Sequence, residues 1–230
     1  MNLIAIETST RLLSVALWRD GALIERRRDH PNGGSELILP WVGELLAEAG
    51  ITLKHLDGIA FGAGPGGFTG LRLACAVAQG LAFGADIPLA PVCSLEALAL
   101  ESGAERVYAC LDARMNEVYS AAYELVAGFP QEILAPAVTP PEAAPLPPGS
   151  GWQLCGDGFV AHGDALSARL GAAIASRRTD LLPTAAAVAR LAAPRLVRGD
   201  GVPAAEGAPL YVRDKVALTT AERLARGGVR

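Results

Sequence analysis

The chain has 230 residues, with 24 acidic side chains against 20 Lys and Arg and a formal net charge of −4. Hydrophobic residues make up 51% and charged ones 19%, which excludes a disordered chain and fits one large domain or two small ones. The acidic balance argues against a protein that grips nucleic acid alone, because neutralising phosphates needs clustered Lys and Arg.

Much of the apolar share is alanine, so the core is expected to use small side chains. Cys75, Cys93, Cys110 and Cys155 form no C-x-x-C pair and read as buried free thiols of a reducing compartment. His30, His55 and His162 are too scattered in the chain to mark a metal site. The N-terminus has no basic stretch leading into a long apolar one, and the apolar run 73–85 is interrupted by Gln79 and falls short of the roughly 20 residues of a membrane span. A soluble cytoplasmic protein with no membrane contact is expected.

In chain order, residues 3–6 and 14–18 are short apolar runs suited to strands. Asp20-Gly21 is a hairpin signal, since both positions of that turn take positive φ, and residues 22–28 return as a third strand. Arg26-Arg27-Arg28 lies between Glu25 and Asp29 and reads as a solvated strand end. After a loop at 30–34, Ser35 is placed to cap a helix bearing one apolar row of Leu37, Trp41 and Leu45 and another of Ile38, Val42, Leu46 and Ala49. Pro40 removes a backbone donor there and is expected to kink it. Residues 58–61 form a buried strand that runs into the glycine loop 62–70, which opens a helix to about Gly84. Residues 87–92 give another strand, and Ser94 is placed to cap a short helix through Leu100. Strand and helix alternate as in an α/β domain.

The second half restarts the theme with a hairpin, 106–111 and 117–123, around Asp112-Ala113-Arg114-Met115-Asn116. The proline-rich stretch 136–151 reads as a surface loop, and 152–155 as a strand ending in Gly156-Asp157-Gly158. Thr184 caps an alanine-rich helix toward Arg198, and Pro209-Leu210-Tyr211-Val212-Arg213 precedes a C-terminal helix. Two similar lobes are expected.

Gly62, Gly64 and Gly67 match G-x-G-x-x-G between a strand and a helix. A dinucleotide site also needs an acid at the end of the next strand, whereas Asp86 precedes that strand. Read as a P-loop, the segment has Phe68 where the lysine belongs, followed by Thr69. Glycines also serve close packing, and that reading is favoured. The candidates for a nucleotide contact are Glu7, Gly64, Gly66 and Thr69. Glu7-Thr8-Ser9-Thr10 resembles the acidic turn of actin-like ATPases, or is a turn satisfied by its own hydrogen bonds. Asp112-Ala113-Arg114 is a second acidic turn or an internal ion pair. The 69–84 helix carries small residues at Gly70, Ala74, Ala78 and Ala82 and again at Ala76, Gly80 and Gly84, so it is either a close-packing partner face or fully buried.

Taken together, Ile4 to Thr10 with Ser14-Val15-Ala16-Leu17, Ser35-Glu36-Leu37 with Leu39-Pro40, the segment Gly64 to Arg72, Asp112-Ala113-Arg114 with Glu117-Val118-Tyr119, and Pro209 to Arg213 resemble the TsaB (YeaZ) family. That family is the catalytically inactive relative of TsaD in bacterial tRNA threonylcarbamoyladenosine synthesis. The sequence departs from it at Glu7, where Asp is usual, and at Gly67, where Ser is usual.

The resemblance implies an α/β, actin-like (ASKHA) fold of two ribonuclease-H-like lobes, residues 1–102 and 103–230, with the last helix packing back on the first lobe. It implies no enzyme activity and no cofactor, but a partner subunit of TsaD in threonylcarbamoyl transfer to the adenosine beside the tRNA anticodon. It further implies that TsaE docks on the pair, that tRNA is met only through the complex, and that a homodimer forms when TsaD is absent. The interface is expected at Leu37, Ile38, Trp41, Leu45, Arg72, Ala74, Ala78 and Leu81, so Trp41→Asp or Ala78→Glu should break pairing and leave the fold intact. The H-x-x-x-H metal pair of TsaD falls here on Ser94 and Leu98, which cannot hold a metal, so no metal is expected. The rivals are an actin-like nucleotide-binding ATPase acting through the glycine loop and a metallopeptidase.

Overall fold

The computed structural model describes residues 1–29 and 34–213. Its first sheet is built from β1 (Asn2–Glu7), β2 (Leu12–Arg19), β3 (Ala22–Asp29), β4 (Gly58–Gly64) and β5 (Leu89–Cys93), in the order β3-β2-β1-β4-β5. The meander β1-β2-β3 is antiparallel, and β4 and β5 add in parallel beyond β1. Asp20 and Gly21 take φ of 50° and 93° at the β2–β3 turn, as a two-residue hairpin requires.

Side chains alternate along β1, so Ile4 and Ile6 face one layer and Leu3 and Ala5 the other. On the first face lie α1 (Ser35–Glu48) and α2 (Phe68–Ala85). On the second lies α5 (Ala185–Val197), where Ala185, Ala187, Ala189 and Ala192 meet Ala5, Ala16, Ala60 and Ala90 of the sheet. Alanine on both sides lets this helix lie close to the strands, and part of the chain's alanine goes to that contact.

The second sheet joins β6 (Arg106–Asp112), β7 (Val118–Val126), β8 (Phe129–Thr139), β9 (Trp152–Cys155) and β10 (Ile174–Arg178), in the order β10-β9-β6-β7-β8. With β6 in the place of β1, its topology repeats that of the first sheet. α3 (Ser94–Ser102) covers one face and α4 (Gly158–Leu170) the other. Each half therefore gives a helix to its neighbour: α3 follows β5 in the chain yet packs beneath β6 and β7, while α5 returns to the first sheet. The fold is the two-lobed, actin-like α/β arrangement.

Several local expectations change. Residues 136–139 continue the edge strand β8, where Pro130 and Pro136 are tolerated because an edge strand leaves one side of its backbone unpaired. Ser35 and Ser94 each begin a helix without capping it; Gly34 (φ 87°) and Cys93 occupy the cap positions. α1 runs unbroken through Pro40. The helix expected after Arg213 lies outside the described residues, and α5 is the helix seen on the first lobe's sheet.

Thr184 does cap α5: its hydroxyl accepts the Ala187 amide at 3.1 Å and donates to Glu101 at 2.9 Å. Thr184→Ala is expected to cost about 1–2 kcal/mol and to lower the melting temperature by roughly 3–6 °C in a thermal scan.

Candidate functional site

The ends of β1 and β4, together with the start of α2, border a cleft of about 920 Å³ between the lobes. Glu7 closes β1 but does not face that cleft. It is fully buried, with Oε1 accepting the Ser9 amide at 2.6 Å and Oε2 accepting the Ser94 hydroxyl at 2.9 Å. A Cβ on Gly62 would lie 1.9 Å from Oε2, so this glycine makes room for the carboxylate. Burial pushes the carboxyl of Glu7 up from its ordinary 4.5, against the hydrogen bonds from Ser9 and Ser94.

The other glycines serve the same closure. A Cβ on Gly66 would meet the Ser9 carbonyl at 2.4 Å, and one on Gly70 the Thr8 carbonyl at 1.9 Å. The Thr8 hydroxyl donates to the Gly70 carbonyl at 2.7 Å, and the Gly67 amide to the Ser9 carbonyl at 2.7 Å. Backbone of the β1–β2 turn thus fills the concavity that the glycines create. Of the four nucleotide candidates, Glu7 is withdrawn into the interior and Gly64 is buried, while Gly66, packed on Ser9, and the exposed Thr69 both line the cleft.

Ser94 and Leu98 are both fully buried, the first hydrogen-bonded to Glu7 and the second inside the α3–second-sheet core. Neither side chain is a metal donor in that setting, and no cluster of three His, Cys, Asp or Glu suited to a metal occurs among the described residues.

Across the cleft, Asp112 ends β6 as Glu7 ends β1. Its Oδ2 pairs with Arg114 at 3.0 Å, and its Oδ1 takes the Arg114 amide at 2.9 Å and lies 3.3 Å from Nε2 of His162. Asp157 accepts the Asp112 amide at 3.1 Å. Burial, with the charge of Asp112 beside it, holds the Asp157 carboxyl above its ordinary range, against the Asp112 amide. The ion pair expected at Asp112-Ala113-Arg114 therefore forms within a larger cluster. Asp157 and His162 were not singled out from sequence, yet a signal existed: Gly156-Asp157-Gly158 repeats the G-x-G of Gly62 and Gly64. A Cβ on Gly156 would lie 2.2 Å from the Cys110 carbonyl, the close approach that Gly62 makes to Glu7.

Residues 32–217 match the family model described as TsaD, tRNA N6-adenosine threonylcarbamoyltransferase. The tRNA threonylcarbamoyladenosine biosynthesis protein TsaB of Escherichia coli K12 is 33% identical over 94% of this chain and 96% of its own length. The protein of that name from Haemophilus influenzae is 35% identical over 94% of this chain and 95% of its length. The chain belongs to the TsaB family. A solved structure described as YeaZ from Pseudomonas aeruginosa superposes with a TM-score of 0.85 at 39% identity, over 91% of this chain and 99% of that one. A second structure, of an uncharacterized P. aeruginosa protein "with similarity to peptidase YEAZ", has the same TM-score at 38% identity over 92% of this chain and 99% of that one.

Within this TsaB-family chain, the helix rows expected at a partner interface lie elsewhere. Ile38, Trp41, Leu45, Ala74 and Ala78 are buried in the first lobe's own core, and Leu37 and Leu81 are partly buried against it. Sheet contact requires these rows because β1, β2 and β4 offer Ile4, Ile6, Val15, Leu17, Ile59 and Phe61 on that face. Of the eight residues, Arg72 alone is exposed. The outer faces carry a different set: Leu39, Gly43 and Ala47 on α1, and Ala76, Gly80, Phe83 and Gly84 on α2. Phe83 is 80% exposed and Leu39 56%, so both helices turn apolar surface outward on the same side of the lobe.

Proposed function

We propose that this chain is a non-catalytic subunit that pairs with a TsaD-type subunit and supports threonylcarbamoyl transfer to the adenosine beside the tRNA anticodon. The observation that carries the reading is the burial of Ser94 and Leu98 within the protein's own packing, since the family resemblance lays the metal histidines of TsaD on these two positions. The names of its TsaB relatives place the work in tRNA threonylcarbamoyladenosine biosynthesis. The outward apolar faces of α1 and α2 are suited to two helices of another subunit, or to a second copy of the chain when that subunit is absent. TsaE would meet the pair, and tRNA would be held by the complex: Arg26, in the chain's longest basic run, is already engaged by Glu44 at 3.7 Å and Glu48 at 2.5 Å.

The burial of Glu7 away from the cleft, where an actin-like ATPase would present an acidic side chain, counts against the rival ATPase reading. Reconstitution with purified TsaD-type and TsaE subunits, ATP, an activated threonylcarbamoyl donor and unmodified tRNA tests the proposal. Modified adenosine is expected to form only when this chain is included. Equal modification without it, or modification by this chain alone, overturns the reading. Ala76→Glu, on the exposed face of α2, is expected to abolish stimulation with no loss of melting temperature.

A further inference from the structure

The motif Pro209-Leu210-Tyr211-Val212-Arg213 ends an irregular strap that runs back from α5 across the first lobe. Residues 199–213 follow α5 without forming a long element, yet they are pinned along their length. Val202 pairs with Leu89 on the outer edge of β5, with both hydrogen bonds at 2.8 Å. The Gly207 carbonyl accepts the Gln79 amide of α2 at 3.0 Å, and the Leu210 amide donates to the Ala63 carbonyl at 2.6 Å. A Cβ on Gly64, whose φ is +111°, would lie 3.1 Å from the Leu210 carbonyl, so a glycine is required for the strap to lie this close.

Beyond Leu210 the strap reaches the surface and then the other lobe. Tyr211 accepts a hydrogen bond from Nε of Arg72 at 3.3 Å, and Arg72 stacks over the Phe68 ring at 3.8 Å. Both rings are 51% exposed, and their centroids are 6.4 Å apart. Arg213 then donates to the Ala113 carbonyl at 2.9 Å and pairs with Glu117 at 2.6 Å. It thereby holds both ends of a turn in which Arg114, Met115 and Asn116 all have positive φ.

We propose that Phe68, Arg72 and Tyr211 form the end of the partner-docking surface, so that a protein seated on α2 also grips the C-terminal strap. The inference rests on the pairing proposed above and extends it. Two observations favour the same occupant. Phe68 and Arg72 belong to the first turns of α2, and Arg72 lies one turn from Ala76, so the cluster continues the outward face of that helix. Among the described residues Arg72 pairs with no carboxylate, while two half-exposed aromatic rings hold it in place. Exposed aromatics around a fixed guanidinium have the composition of an interface hot spot. The partner that fits is an apolar helix surface carrying a carboxylate placed to meet Arg72.

Affinity for the TsaD-type subunit, measured by biolayer interferometry on the full chain, tests the extension. Tyr211→Ala, Arg72→Ala and Phe68→Ala are each expected to weaken binding at least about fivefold, which is ~1 kcal/mol. Tyr211→Phe keeps the ring and is expected to stay within about threefold. Phe68→Ala leaves the strap backbone untouched, so it separates loss of contact from loosening of the strap. If Phe68→Ala and Arg72→Ala bind within fivefold of wild type while Ala76→Glu loses binding, the extension is overturned and the α1/α2 reading stands. If all of them bind as wild type does, the pairing reading itself fails.

Discussion

Ala78→Glu is expected to unfold the first lobe, not to separate two folded subunits. Ala78 is fully buried in the cluster formed by Ile4, Ile6, Ile59 and Phe61 with α1 and α2, which contains no cation. A carboxylate forced into that layer must be neutralised or must push α2 off β4, at a cost of several kcal/mol. Total stability for a domain of this kind is only about 5–15 kcal/mol. Trp41→Asp adds an emptied indole site, itself worth about 3–5 kcal/mol. Far-UV circular dichroism with thermal melting checks both: a loss of at least about 10 °C is expected, together with aggregation on gel filtration. Wild-type melting of Ala78→Glu would mean that α2 presents this row to solvent. Ala76→Glu, two positions away on the outer face, is the matched control.

That contrast marks where sequence reading reached its limit. The rows of α1 and α2 were legible as apolar stripes, because a period of 3.6 shows which residues share a face. Which stripe meets the sheet was not legible, since small residues occur on both faces of α2: Ala74, Ala78 and Ala82 inward, Ala76, Gly80 and Gly84 outward. The inward row is settled by the large side chains of β1, β2 and β4 above it, which belong to other parts of the chain. The hairpins, β4 and the Thr184 cap were legible because each rests on a local signal. β8 was obscured by Pro130 and Pro136, which only the edge position of that strand excuses. His162 looked scattered in the sequence because its partner Asp112 lies 50 residues away, and it reaches that carboxylate from a non-helical position inside α4 (φ −133°, ψ 34°).

The glycine loop is the case in which a motif carried its chemistry differently from its pattern. G-x-G-x-x-G describes a backbone free of Cβ atoms, and what enters the freed space decides the function. Here the entrants are the Glu7 carboxylate at Gly62, Ser9 at Gly66 and Thr8 at Gly70. The acidic turn and the glycine loop, which in an actin-like ATPase would face a nucleotide, here bind each other along the cleft wall and turn the Glu7 carboxylate inward. The cost of that arrangement is a buried carboxyl, and it leaves a pH signature.

Because burial raises the carboxyl of Glu7 above its ordinary 4.5, the folded state holds the proton more tightly than the unfolded chain does. The stability it contributes is therefore fully present below about pH 4.5 and is lost as pH rises through the raised folded value. Gln in its place mimics the protonated side chain: its oxygen can still accept the Ser9 amide, and its amide can donate to Ser94. Glu7→Gln is thus expected to gain on the wild type as pH rises above about 4.5, by up to ~1.4 kcal/mol per pH unit inside the window. Glu7→Ala, which strands the Ser9 amide and the Ser94 hydroxyl and leaves a cavity, is expected to lose about 3–5 kcal/mol throughout. Glu25 and Asp157 are also raised by burial and tilt the profile of every variant alike, so the difference between wild type and Glu7→Gln isolates this one group. Urea denaturation between pH 4 and about pH 8 reads that difference directly. A difference that stays constant across the range would mean that Glu7 titrates as an exposed carboxylate does, and that its place beneath Gly62 is open to water.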